Sequence, residues 1–143
     1  YLSPEQTGRM NRAIDYRSDF YALGVTFYEM LTGQLPFQTT DPLELVHSHI
    51  AKPPVTPNHI NAAVPLPLAD VVMKLLAKTA EDRYQSASGL RADLVTCQTQ
   101  LEKTGTITGF PVGQLDCFSQ FLIPQRLYGR EIEVATLLTA FEQ

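Results

Sequence analysis

Ser18-Asp19-Phe20-Tyr21-Ala22-Leu23-Gly24-Val25-Thr26-Phe27-Tyr28-Glu29-Met30-Leu31-Thr32-Gly33 is the stretch that decides the fold class of this chain. Phe20, Leu23, Phe27, Tyr28 and Leu31 recur at helical spacing, Val25 and Met30 widen the stripe, and Thr32-Gly33 marks a stop. A helix apolar around most of its circumference belongs among other helices and not on a surface. Gly24 inside it costs about 1 kcal/mol relative to Ala, which a close approach by a neighbouring element would justify.

The flanking sequence continues in helices. After Leu35-Pro36-Phe37, an Asp or Thr cap at Thr40-Asp41 and Pro42 in the first turn open a second helix, expected to run to about Ile50. Residues 52–67 hold prolines at 53, 54, 57, 65 and 67, a density that predicts an irregular surface loop. Val71, Val72, Leu75 and Leu76 mark a third helix. Ala87, Leu90, Leu94, Cys97 and Leu101 mark a fourth, from about Ser86 to a stop at Gly105. Residues 102–125 lose the helical period yet keep Phe110, Phe118 and Phe121, so they are expected to be a linker that packs on something. Val134, Leu137, Leu138 and Phe141 resume the period in a helix expected to be truncated at Gln143.

With 143 residues, 44% of them apolar, a real core is possible and a disordered or collagen-like chain is excluded. Eleven basic residues against 15 acidic ones give a net charge of -4 with no basic block, which argues against a nucleic-acid partner. Cys97 and Cys117 show no metal-ligand spacing and are expected to be free thiols in a reducing cytosol. Apolar runs fall far short of the roughly 20 residues a membrane span needs. The start at Tyr1 suggests a fragment.

Four short motifs follow one another in a telling order: Tyr1-Leu2-Ser3-Pro4-Glu5; Ser18 to Gly24; Leu31-Thr32-Gly33-x-x-Pro36-Phe37; and Ala80-Glu81-Asp82-Arg83-Tyr84. Together they resemble the protein kinase family, in the C-terminal half of its large lobe, over residues 1–101. The first resembles the Tyr-x-Ala-Pro-Glu end of the activation segment, with Ser3 in the Ala place. The second and third resemble the entry and exit of the family's central helix, and the fourth its Arg-bearing turn before the last helix. The resemblance implies a buried ion pair between Glu5 and Arg83, and an Asp19 that bonds the backbone of the catalytic loop. Asp19 as a simple N-terminal cap, and Glu5 and Arg83 as two surface charges, are the plainer alternatives.

Phosphoryl transfer needs a Gly-rich cover, a Lys on the nucleotide, an Asp base and Asp and Asn groups for magnesium. In the family these lie before Tyr1, so no catalytic, cofactor or metal residue is assigned here. ATP, Mg and a Ser/Thr protein substrate are implied for the parent, and none for this chain, which is expected to be inactive and to lack its N-terminal kinase segment. His47-x-His49 reads as solvated histidines, since residues two apart on a helix face different ways. Ser3, Asp19 and His59 have no nucleophile-elbow context and are discounted as a triad.

In residues 126–143, Leu127-Tyr128-Gly129-Arg130-Glu131 running into Leu137-Leu138-x-x-Phe141 resembles the entry to an AAA-type P-loop ATPase module, the alternative being a plain amphipathic helix. This order resembles large bacterial signalling proteins that join a serine/threonine kinase to an ATPase. The expectation is thus a mainly α, cytoplasmic kinase fragment with a linker and one truncated helix. A pseudokinase-like helical module that binds a protein partner is the runner-up. An independent helical domain would place Glu5 and Arg83 far apart.

Overall fold

Every stretch of regular structure among the described residues is helical. A computed structural model describes residues 2–8 and 14–117. Tyr1, residues 118–125 and the helix expected around Val134 to Phe141 lie outside the described residues. After a 3-10 turn at Pro4–Thr7 come α1 (Arg17–Thr32), α2 (Pro42–Ala51), α3 (Pro57–Ile60) and α4 (Leu66–Leu75), a second 3-10 turn at Ala80–Asp82, and α5 (Ala87–Thr104). The fold is mainly α, with no strand among the described residues.

Local chemistry sets the boundaries. Gly33 and Gly105 end α1 and α5 at φ +73° and +70°, where a Cβ would be strained, and each returns its backbone N–H to the final turn. Asp41 caps α2 by accepting the Leu43 N–H at 2.8 Å, and Ser86 caps α5 by accepting that of Gly89 at 3.0 Å. The proline-rich stretch departs from the expected loop: Pro57 opens the single turn of α3, and α4 begins at Leu66 with Pro67 in its first turn. A first-turn N–H has no intrahelical acceptor, so proline forfeits nothing there.

The helix enclosed most completely is α4 and not α1. Ala69, Val71, Val72 and Leu75 are fully buried and Leu76 nearly so. One side of α4, Val72 and Leu76, packs on Tyr21, Val25 and Tyr28 of α1. The other, Val71 and Leu75, packs on Tyr84 and Leu90, with Phe20, Leu23 and Val112 closing the edge. Gly24 lies at the α1–α4 crossing, where a Cβ would come 2.7 Å from the Leu75 Cβ, which is the close approach the sequence called for. The buried face of α1 is therefore Tyr21, Gly24, Val25 and Tyr28, while Met30, expected to widen the stripe, is 76% exposed. Two buried tyrosines can hold this face because each hydroxyl finds a partner, Tyr21 at His49 Nδ1 and Tyr28 at the Val55 carbonyl, both at 2.8 Å.

Candidate functional site

The Pro4–Thr7 turn and the bend at residues 80–86 meet at the N-terminus of α1. Ser3, fully buried, builds the first: its backbone N–H and hydroxyl both donate to Gln6 Oε1, at 2.9 and 3.0 Å. That turn sends Glu5 inward, 5% exposed, towards an Arg83 with no exposure at all. Arg83 Nη1 donates to Glu5 Oε1 at 2.7 Å and Nη2 to Oε2 at 2.9 Å, a two-pronged pair across 78 positions of sequence.

The remaining donors of Arg83 are also used. Nε donates to the Ala77 carbonyl at 2.8 Å, Nη1 to that of Arg17 at 3.0 Å, and Nη2 to that of Lys78 at 3.2 Å. The guanidinium also lies over the Tyr21 ring, 5.0 Å from its centre. Ser18, the second residue of α1, donates its hydroxyl to Glu5 Oε1 at 2.6 Å. Burial would raise the Glu5 pKa, but the hydrogen bonds from Arg83 and Ser18, a backbone N–H and the Arg83 charge together lower it to about 2. A carboxylate and a guanidinium held this way, with every donor matched, form a clamp between two distant segments and not a reactive centre.

Curated relatives resemble the chain in whole or in part. The chain is 41% identical to the protein named hybrid signal transduction histidine kinase G of Dictyostelium discoideum, which it matches throughout its own length. Over 95 residues, 66% of the chain, it is 42% identical to serine/threonine-protein kinase PknB of Mycobacterium leprae. Over 91 residues it is 37% identical to serine/threonine-protein kinase PksC of Streptomyces coelicolor. The chain carries a kinase-related region. It spans 5%, 15% and 16% of the lengths of these three relatives. No family model matches it.

Asp19 lies in the first turn of α1 as expected, but its side chain is exposed and no described residue meets its carboxylate. The residue that closes the start of α1 is Asp15, whose Oδ1 accepts the Arg17 N–H at 2.9 Å. Ser3, Asp19 and His59 form no cluster: Ser3 is engaged by Gln6, and Asp19 and His59 are exposed.

The expectation of two solvated histidines is corrected. His47 is exposed, whereas His49 is buried against Phe37 and Tyr21, and burial together with the Lys78 charge lowers its pKa. The two-residue spacing separates the faces as argued, and one of those faces turns out to be the core. Lys78 reaches the end of α2, donating Nζ to the Ser48 and His49 carbonyls at 3.1 and 2.9 Å over the Phe37 ring. Burial and the Arg83 charge lower its pKa to about 8. Among the described residues no group of His, Cys, Asp and Glu is arranged to hold a metal. Cys97 is buried and Cys117 exposed, both as free thiols.

The stripe expected on α5 is also corrected, since Ala87 and Leu101 are exposed while Asp93 is buried. Asp93 Oδ2 accepts the Tyr84 hydroxyl at 2.5 Å and the Gly113 N–H at 2.6 Å. Burial and the bond to Asp93 raise the Tyr84 phenol far above its usual range. Sequence reasoning missed Asp93, although its place between Leu90, Leu94 and Cys97 was a signal: an acid inside an apolar stripe needs a buried donor.

Proposed function

We propose that this chain is the scaffold portion of a serine/threonine protein kinase large lobe, in which Glu5 and Arg83 fasten the end of the activation segment to the turn before the last helix. The observation that carries this reading is the buried, two-pronged Glu5–Arg83 pair, in a chain that is 42–43% identical over 95 residues to proteins named PknB. In the parent, ATP and Mg would serve phosphate transfer to a Ser or Thr of a protein substrate, with the catalytic groups supplied by segments before Tyr1. Asp19, exposed here, is then poised for the catalytic-loop backbone. Residues 126–143 would open an AAA-type ATPase module, and the parent would be a multidomain cytoplasmic signalling protein. No described helix is long and apolar enough to cross a membrane.

A second reading is favoured by one observation: a relative matched along the whole chain is named for a histidine kinase, not for a serine/threonine kinase. In this reading the region binds a protein partner and transfers no phosphate. The parent reading frame separates the two. An H-R-D-x-x-x-x-N and a D-F-G before Tyr1, together with transfer of labelled γ-phosphate from ATP to a Ser/Thr protein by the purified parent, support the enzyme. Absence of both motifs and of transfer supports the binder. The chain alone is expected to show neither transfer nor saturable ATP-Mg binding by calorimetry at micromolar concentration.

A further inference from the structure

Residues 105–117 follow α5 and turn back along it, and the last of their polar contacts falls on Gln85 and Ser86, in the bend that carries Arg83. Thr108 donates its N–H and its hydroxyl to Gln100 Oε1 at 2.6 and 3.0 Å. Val112 packs on the Val71, Leu75, Tyr84 and Leu90 core. Gly113, at φ +79°, gives its N–H to the buried Asp93, and a Cβ there would come 2.7 Å from Lys74 Cε. Asp116 closes the return: Oδ2 accepts the Gln85 N–H at 2.7 Å and Oδ1 the Ser86 hydroxyl at 2.8 Å. Across from it, α5 has no side chain at Gly89, where a Cβ would come 2.7 Å from the Asp116 Cα.

Gln85 carries this contact onward. Its side-chain amide nitrogen lies 2.9, 3.0 and 2.6 Å from the carbonyls of Ala80, Glu81 and Arg83. Its Oε1 accepts Arg17 Nη1 at 2.9 Å, and its own carbonyl accepts the Tyr16 hydroxyl at 2.8 Å. The Arg17 carbonyl in turn accepts Arg83 Nη1. One glutamine thus ties Asp116 to both backbone segments that frame the guanidinium.

We infer that residues 105–117 are a conformational strap whose Asp116 latch, acting through Gln85, sets how firmly Arg83 grips Glu5. Residue 118 is covalently joined, through Cys117, to this latch, so a pull along the chain at that point acts on Asp116 and, through it, on Gln85. Release of Asp116 frees the Gln85 N–H and the Ser86 hydroxyl, and the bend at residues 80–86 then loses its outer support. The device belongs to this chain and holds whether or not the parent transfers phosphate.

The test is hydrogen exchange by NMR at pH 7 on the whole chain, comparing the parent sequence with Asp116→Asn, Gly89→Ala and Gln100→Ala. Asp116→Asn keeps the shape but loses one acceptor oxygen, and Gly89→Ala expels the latch sterically. Gln100→Ala frees only the Thr108 end of the strap. The probes are the Arg83 Nε–H and the amides of residues 80–86, with the amides of residues 27–32 in α1 as reference. Exchange at the probes at least tenfold faster in Asp116→Asn or Gly89→Ala, with the reference and Gln100→Ala unchanged, is the expected result. Probe exchange at the parent rate in both latch variants overturns the inference. So does equal acceleration at probe and reference, which would make the strap a general brace and not a coupling. If Gly89→Ala fails to fold, Asp116→Asn decides alone.

Discussion

All five N–H donors of Arg83 have an acceptor, and this completeness governs what its removal does. A buried ion pair contributes little over a well-packed apolar substitute, but loss of one partner strands the other charge at about 3–5 kcal/mol. Arg83→Ala should therefore lower stability in urea titration by about that amount, whereas Arg91→Ala, on the exposed face of α5, should fall within about 0.5 kcal/mol of the parent. The same pair sets the acid limb. The Glu5 pKa is lowered from 4.5 to about 2 in the fold, so its stabilisation is fully present above pH 4.5 and is lost as pH falls towards 2. That window is worth about 3 kcal/mol, and Glu5→Gln should flatten the decline of stability between pH 4.5 and 2 in a chemical-denaturation series. Lys78 acts at the other end. Its folded pKa of about 8 lies below the ordinary 10.5, so the unfolded chain binds more proton between those values and stability rises with pH there. Tyr21 and Tyr84, with phenols raised by burial, oppose this once pH nears 10. Lys78→Met should remove the upward slope just above pH 8, measured at constant ionic strength.

At the scale of elements, what the sequence made legible was everything carried by period and punctuation. The stop at Gly33, the Asp41 and Ser86 caps and the α4 stripe Val71, Val72, Leu75 and Leu76 all follow from residue types whose local physics has few alternatives. Which face of α1 would be buried was not legible, because a helix apolar nearly all round offers two stripes of similar hydrophobicity. The choice fell to the one whose tyrosine hydroxyls could reach His49 and Val55, partners that only the tertiary fold supplies. Gln85 was invisible for a related reason, since nothing local distinguishes a glutamine that bridges three segments from one in solvent. One glycine tests the packing of elements. At an unobstructed helix position Gly→Ala stabilises by about 1 kcal/mol. Gly24→Ala should reverse that sign, because a Cβ 2.7 Å from Leu75 Cβ forces α1 and α4 apart, at a typical cost of about 1–3 kcal/mol. A melting temperature above that of the parent would show that the two helices separate without loss.

Over the whole molecule, the apolar surface left open is not where a buried α1 alone would put it. Phe20, Leu23 and Phe27 lean on the α4–α5 core, and of the long apolar side chains of α1 it is Met30 that stands free. An apolar opening lies against α1 and the segment that follows it. Leu2, Val25, Leu35, Phe37, Leu45 and His49 line an apolar pocket of about 170 Å³, and Leu35 in it is 41% exposed. This volume is close to that of an apolar cavity able to take a benzene-sized group, at about 150 Å³. An apolar dye should therefore bind here. We expect the folded chain to enhance ANS fluorescence saturably at neutral pH, and Leu35→Gln to weaken that enhancement severalfold without changing the cooperativity of unfolding, because the side chain is already part-exposed. Met30→Gln, on the far-exposed position of α1, should leave the enhancement as it was. If Met30→Gln removed the dye signal and Leu35→Gln spared it, the sticky surface would be α1 itself, and the covering of that helix by α4 and α5 would be looser than its packing implies.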